Sequence, residues 1–318
     1  SLVAVPLAAP GLAGGTSAIG AFLYRLVVEG KQKRAMQRAF RSYLAPEVLR
    51  EVLRDPAAVR LGGESREVTL FFTDLQGFTG LAEHAKPAEL VAFLNDYFTR
   101  MCQPILAEHG VIDKFIGDAI MAFFGAPIAS RNHGAAAIRA ALRALEISAQ
   151  IGGEIAARGA PPIKTRIGIH AGTAVVGNMG STERFDYTAI GDTVNLAARL
   201  EGANKAFGTR CLASETAWAM ASDEVLGREV GRIGVVGRTA PIRVFEPLTI
   251  RAEATAAELQ WATRWQEFVR TLQAGDRAAS LVALGACATL RADDILTNLY
   301  HEKLDDPSFD GVFRLDGK

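Results

Sequence analysis

Between Arg66 and Phe207 the chain alternates segment types in an order that few folds accommodate. Val68–Phe72 is a short, strongly apolar, β-prone run, as a buried strand should be. Pro87–His109 reads as a helix, with Pro87 in its first turn and Gly110 just past its end. Val111–Ile116 and Ala119–Phe124 are two strands separated only by Gly117-Asp118, a tight-hairpin signal. A second helix, rich in Ala and Leu, is expected over 132–157. A strand pair follows at Ile163–His170 and Thr173–Asn178, turning at Ala171-Gly172. A third main helix runs from Asp192, a good N-cap, to Phe207. The order is βαββαβ, with short strands added near 210–213, 228–236 and 241–248. It predicts an α+β fold of ferredoxin-like type: an antiparallel sheet with helices on one face.

Two carboxylates fall at matching places in that order. Asp74 ends the first strand and Asp118 sits in the hairpin between the next two, so the fold makes them converge. At about 5 Å and an effective dielectric of about 20, two such charges repel by roughly 3 kcal/mol. A divalent cation turns the repulsion into attraction. Mg²⁺ favours one or two carboxylates plus phosphate oxygens, which points to a nucleoside triphosphate. After Asp74, Gln76-Gly77-Phe78-Thr79 opens toward a helix whose backbone N–H groups suit phosphate. Either aspartate alone would read as a turn residue or cap; the pair is what carries the inference.

Other polar residues have a plainer reading beside the functional one. Asn195 and Arg199, spaced i, i+4, share one helix face, either as a solvated stripe or as an anion-stabilising pair. Lys114 is an edge charge or a ligand contact. Thr188 follows Tyr187 in an expected loop. His170 reads as structural, since no nucleophile or orienting carboxylate accompanies it. No phosphate-binding P-loop, zinc-protease helix or nucleophile-elbow serine occurs. Lys+Arg and Asp+Glu both number 35, so no basic field argues for nucleic acid. Cys102, Cys211 and Cys287 form neither a disulfide framework nor a zinc site.

The flanks differ in character. Leu2–Tyr24 carries no charge, and the basic cluster Lys31, Lys33, Arg34, Arg38 and Arg41 follows it. Residues 1–28 are therefore expected to be a membrane helix with its cytoplasmic end at the basic cluster. An apolar segment packed on soluble protein is the alternative. Residues 29–62 read as a helical linker, solvated or paired in a two-stranded junction. After Arg251 the chain turns helical again over 251–318, with Trp261, Trp265, Phe268 and Leu272 as a packing stripe and a second helix over about 276–291.

Together these residues resemble the class III nucleotidyl cyclases. The blocks Phe71–Thr79, Lys114–Ala122, Arg166–Gly172 and Gly191–Leu200 carry the resemblance, which covers about 66–248. It implies a catalytic domain over 63–250, between the linker and a C-terminal extension at 251–318. Its expected reaction is that of an adenylate cyclase, a phosphorus–oxygen lyase making cyclic AMP and pyrophosphate from ATP. Asp74 and Asp118, with the Leu75 backbone, would hold two Mg²⁺ or Mn²⁺ ions. Asn195 would orient the ribose and Arg199 would stabilise the transition state. Arg166, Arg238 and the Gly77-Phe78-Thr79 turn would contact phosphates, and Lys114 and Thr188 would read the base. The resemblance further implies a homodimer with shared active sites. The flanks resemble bacterial membrane cyclases with an extracytoplasmic sensor of the CHASE type, hence an inner-membrane protein with a cytoplasmic catalytic domain. A guanylate cyclase and a catalytically silent nucleotide-binding module are the alternatives. A diguanylate cyclase is disfavoured because its Gly-Gly-Asp/Glu-Glu-Phe signature is absent.

Overall fold

The computed structural model describes residues 61–159, 163–234 and 240–314. The expected membrane helix at 1–28 and nearly all of the linker at 29–62 lie outside these residues, as does Arg238. Among the described residues no helix is long and apolar enough to cross a membrane.

Among the described residues nine strands form one sheet: β1 Gly62–Gln76, β2 Val111–Ile116, β3 Ala119–Phe124, β4 Lys164–Gly180, β5 Phe185–Ile190, β6 Cys211–Ser214, β7 Val225–Gly234, β8 Ile242–Ile250 and β9 Val312–Arg314. The spatial order is β2-β3-β1-β4-β6-β8-β7-β9, with β5 paired to the outer half of β4. All neighbours are antiparallel except β4–β6 and β7–β9. The helices are α1 Phe78–His84, α2 Pro87–Ala107, α3 His133–Ala157, α4 Asp192–Phe207, α5 Glu215–Trp218, α6 Ala256–Gln273, α7 Arg277–Leu290 and α8 Ile295–Asp305.

The helices cover both faces of the sheet, not one. Ile167, Ile169 and Ala171 of β4 pack with α2 and α3 in one core. The intervening Gly168 faces α4 so closely that a Cβ there would lie 2.2 Å from the Glu201 nitrogen. Strand alternation therefore puts α4 opposite α2 and α3. A second core joins Leu196, Leu200 and Phe207 of α4 to Trp261, Trp265, Phe268 and Tyr300 of the C-terminal helices. The sequence carried a signal for this: Val68–Phe72, apolar at every position but Thr69, belongs to a strand covered on both sides.

Three further expectations are corrected. The pair at 163–178 is one 17-residue strand, aligned with β1 from Gly62↔Asn178 to Gln76↔Lys164. Its Ala171-Gly172 step makes no turn; Gly172 gives room to Thr193, whose hydroxyl a Cβ would approach to 3.2 Å. Thr188 lies in β5, opposite Gly177, not in a loop. Asp192 is the first helical residue of α4, and the capping position is Gly191 at φ 144°. The C-terminal region adds a third helix, α8, beyond the two expected. α6 starts on a Thr255/Glu258 capping box, and α7 and α8 start on the Asp276 and Asp294 side chains.

Candidate active site

Cross-strand register assembles the first cluster. Asp74 of β1 lies opposite Arg166 of β4, and the Arg166 guanidinium donates to the Asp74 carboxylate. Arg166 Nε is also 3.1 Å from Glu201 Oε1 of α4. Asp118 follows Gly117, whose φ of 64° favours glycine at this turn. Adjacent pairing of β1 and β3 brings Asp118 beside Asp74, and the Leu75 backbone N–H donates to its carboxylate. Burial pushes the Asp118 carboxyl up and the Asp74 charge adds to that; backbone N–H groups and Arg166 offset part of it. Burial, then the Asp74 charge, push Glu201 up to about 7 against the pull of Arg166. Three carboxylates thus face one guanidinium, and Arg166 Nε and Glu201 Oε1 are buried without a well-formed hydrogen bond. No group of three or more metal-binding side chains is poised around one point among the described residues; Asp74 and Asp118 are hard oxygen donors that suit a divalent cation together with phosphate oxygens.

The second cluster forms where β2 meets β5. Thr188 Oγ1 donates to Asp113 Oδ2 at 2.5 Å, and Lys114 Nζ is 3.3 Å from Asp113 Oδ1. The Asp113 side chain is fully buried and that of Lys114 is 39% exposed. Lys114 and Thr188, far apart in sequence, converge on a carboxylate that motif reading did not single out.

The third group stands apart in direction. Asn195 and Arg199 occupy an exposed face of α4. Glu201, two residues past Arg199, projects about 160° away around the helix, toward Asp74. Buried Asn204 fixes α4 on the sheet by donating to Ile167 O at 2.9 Å and accepting from Thr209 Oγ1 at 2.8 Å. Gly77 takes φ 92° ahead of the seven-residue α1, Phe78 packs against the core and Thr79 is exposed. His170 is buried with Nδ1 2.8 Å from Ser214 Oγ, a hydroxyl that the sequence reading did not place beside it.

The structure thus joins Asp74, Leu75, Asp118 and Arg166 in one group and Lys114 with Thr188 in another. Glu201 and Asp113 are the additions. Each is found only through tertiary register, although Asp113 directly precedes a singled-out lysine.

Residues 63–245 match the family model described as the adenylate and guanylate cyclase catalytic domain. The chain is 39% identical over 221 residues to adenylate cyclase 1 of Rhizobium meliloti (strain 1021), covering 67% of this chain and 33% of that protein. It is 38% identical over 187 residues to an adenylate cyclase of Anabaena cylindrica, covering 58% and 35%. The chain therefore spans about a third of the length of these relatives. Among solved structures it resembles the adenylyl cyclase CyaB from P. aeruginosa, with TM-score 0.56 and 32% identity over 61% of this chain and 100% of that one. It resembles the guanylyl cyclase Cya2 as well, with TM-score 0.55 and 30% identity over 61% and 98%. With the family model spanning well over half of its residues, the chain belongs to the adenylate and guanylate cyclase catalytic domain family.

Proposed function

We propose that this chain is the catalytic part of an adenylate cyclase, converting ATP to 3′,5′-cyclic AMP and pyrophosphate. The observation that carries the reading is the convergence of Lys114 and Thr188 on Asp113, in the same hairpin that bears Asp118. Fold likeness does not select the base, since an adenylyl and a guanylyl cyclase superpose equally well. Lys114 supplies a donor suited to adenine N1, an acceptor. Guanine carries a proton at N1 and would leave the ammonium facing a donor.

Asp74 and Asp118, with the Leu75 backbone, would hold two Mg²⁺ or Mn²⁺ ions. Bound there, the ions supply activation of the ribose 3′-hydroxyl and neutralisation of the triphosphate. The hydroxyl attacks the α-phosphorus in line and pyrophosphate leaves. Asn195 orients the ribose. Arg199 holds charge developing on the pentacoordinate phosphorus, so Arg199→Ala should cost on the order of 10²–10³ in rate. Arg166, Arg238 and the Gly77-Phe78-Thr79 turn contact phosphates. The Arg166 guanidinium also donates to Asp74, next to the proposed metal site.

The outward direction of Asn195 and Arg199 supports active sites shared between two copies of the chain. Exposed apolar side chains beside the second cluster support the same pairing: Phe115 and Ile116 on β2, and the cross-strand partners Val175 and Ile190 on β4 and β5. We assign 1–28 as a membrane helix, 29–62 as a linker ending where β1 begins, 63–250 as the catalytic domain and 251–318 as an extension. The catalytic domain then lies on the cytoplasmic side of a bacterial inner membrane.

Incubation with ATP or GTP plus Mn²⁺, with the product identified by mass spectrometry, tests the activity. Cyclic GMP as the main product selects the guanylate reading; no product from either triphosphate sinks both. Shared sites are tested by mixing Asp74→Ala with Asn195→Ala. Each alone should be inactive, and the mixture should regain activity through one intact site per heterodimer. Silence from a mixture that still dimerises overturns the shared site.

A further inference from the structure

A threonine hydroxyl donates one hydrogen bond and accepts two. Left free to rotate, Thr188 would serve either purine, accepting from the 6-amino group of adenine or donating to the 6-oxo group of guanine. In this chain it is not free. Its proton points to Asp113 Oδ2 at 2.5 Å, the length of a charge-assisted O–H···O⁻ bond. Asp113 is fully buried. Thr188 is itself only 7% exposed, so little water competes for the bond.

The local backbone is built for this contact. Ile112 pairs with Ala122 and Lys114 with Met121, which leaves Asp113 as the extra residue of a β-bulge. In a regular strand, residues 113 and 114 would point to opposite faces. A bulge re-aims a side chain, and here one carboxylate reaches both Lys114 and Thr188. Burial pushes the Asp113 carboxyl up, while the Thr188 hydrogen bond, the Lys114 charge and the Ala189 backbone N–H favour its ionised form.

We propose that Asp113 sets the base specificity of this chain: by taking the Thr188 proton it leaves only oxygen lone pairs toward the base. Lys114 and Thr188 then present a donor to N1 and an acceptor to position 6, the complement of adenine alone. Asp113 touches no substrate atom; it is a positioning residue. The inference rests on the base-reading roles of Lys114 and Thr188 proposed above.

The test is the ratio of kcat/KM for ATP over GTP, measured on the full chain with Mn²⁺. Asp113→Asn replaces an acceptor-only group by one that also donates, so the Thr188 hydroxyl regains its freedom. The ratio should fall about tenfold or more, mainly through KM. Thr188→Val should lower it comparably, Thr188→Ser should preserve it, and Asp113→Asn should lower it little further in the Thr188→Val background. If Thr188→Val lowers the ratio and Asp113→Asn does not, the role of Asp113 is overturned while the base reading stands. If Thr188→Val leaves the ratio unchanged, the base reading falls and this inference with it. Should Asp113→Asn fail to fold, the unaltered chain answers through two analogues that keep N1 as an acceptor. Purine riboside triphosphate, with hydrogen at position 6, should then outperform 6-methoxypurine riboside triphosphate, which offers only an acceptor there. The reverse order overturns the proposal.

Discussion

Arg166 and Arg228 both sit among carboxylates, and their surroundings differ in charge balance. Arg166 faces Asp74 and Glu201, with Asp118 beside them: three acids for one guanidinium, with hydrogen-bonding atoms left over. Arg228 joins β7 to the C-terminal helices. It donates to Glu246 Oε2 at 2.6 Å and to both oxygens of Asp294 at 2.7 and 2.9 Å. Its guanidinium carbon lies 4.8 and 4.6 Å from the Trp261 and Trp265 ring centres, and Arg291 covers Trp261 at 4.1 Å. Asp294 also caps α8 through the Thr297 N–H. The Arg228 cluster is closed and nearly neutral; the Arg166 cluster sets three carboxylates against one guanidinium among the described residues. Unbalanced charge at a half-open place marks chemistry, and balanced charge in a dry place marks architecture.

The largest effects should separate the two clusters cleanly. Asp118→Asn removes a repelling charge from the first, so it should cost at least about 10³-fold in cyclase rate while leaving metal-free stability equal or higher. Rate assays and thermal melting in EDTA check both halves; a variant that loses rate because it melts would break the contrast. Arg228→Met does the converse. It strands Glu246 and Asp294 in the interior, so urea unfolding should show a loss of about 3–5 kcal/mol. Below its melting range the variant should keep a cyclase rate near the parent's.

The contrast also explains what a reader of the sequence can see. The Gly117-Asp118 hairpin was legible because turn chemistry is local, and its strands fall where expected, Val111–Ile116 and Ala119–Phe124. The Ala171-Gly172 step misled for a reason that recurs at Gly168. A glycine in a strand signals either a turn or the close approach of another element, and only the packed α4 distinguishes them: its backbone lies against Gly168 and its Thr193 side chain against Gly172. Asp113 was hidden by a bulge, which composition does not announce. Glu201 was hidden by its direction: it shares a helix with Arg199 but serves the opposite side. Asp74 and Asp118 stood out by position in the strand order, whereas their partner Arg166 depends on a register 92 residues apart. Motif reading finds groups that face a ligand more readily than groups that hold those groups in place.

The smallest expected effect is a slope with pH, to which single carboxylates contribute differently: Asp294 beside Arg228 is shifted opposite to Glu201, whereas burial raises Glu246 there as it raises Glu201. Glu201 has an ordinary value of 4.5 and stands near 7 in the folded chain, through burial first and the Asp74 charge second. Between those values the unfolded chain has released this proton and the folded chain still holds it. The folded state binds more protons, so stability falls as pH rises from about 4.5 to 7 and is level above that. Asp118, also raised, adds a term of the same sign starting near its ordinary value of 3.8. Asp294 is shifted the other way: its hydrogen bonds and ion pair with Arg228 outweigh its burial and hold its carboxyl below 3.8. Its contribution is complete above 3.8 and is lost only as pH falls below it, so it is flat across the window where Glu201 acts. Melting temperatures taken in EDTA from pH 4.5 to 8 should therefore decline for the parent relative to Glu201→Gln. The difference should amount to about 1–2 kcal/mol, since partial exposure screens the charge. Parallel curves for parent and variant would mean that Glu201 titrates alike in both states and that the first cluster is less strained by charge than its three carboxylates imply.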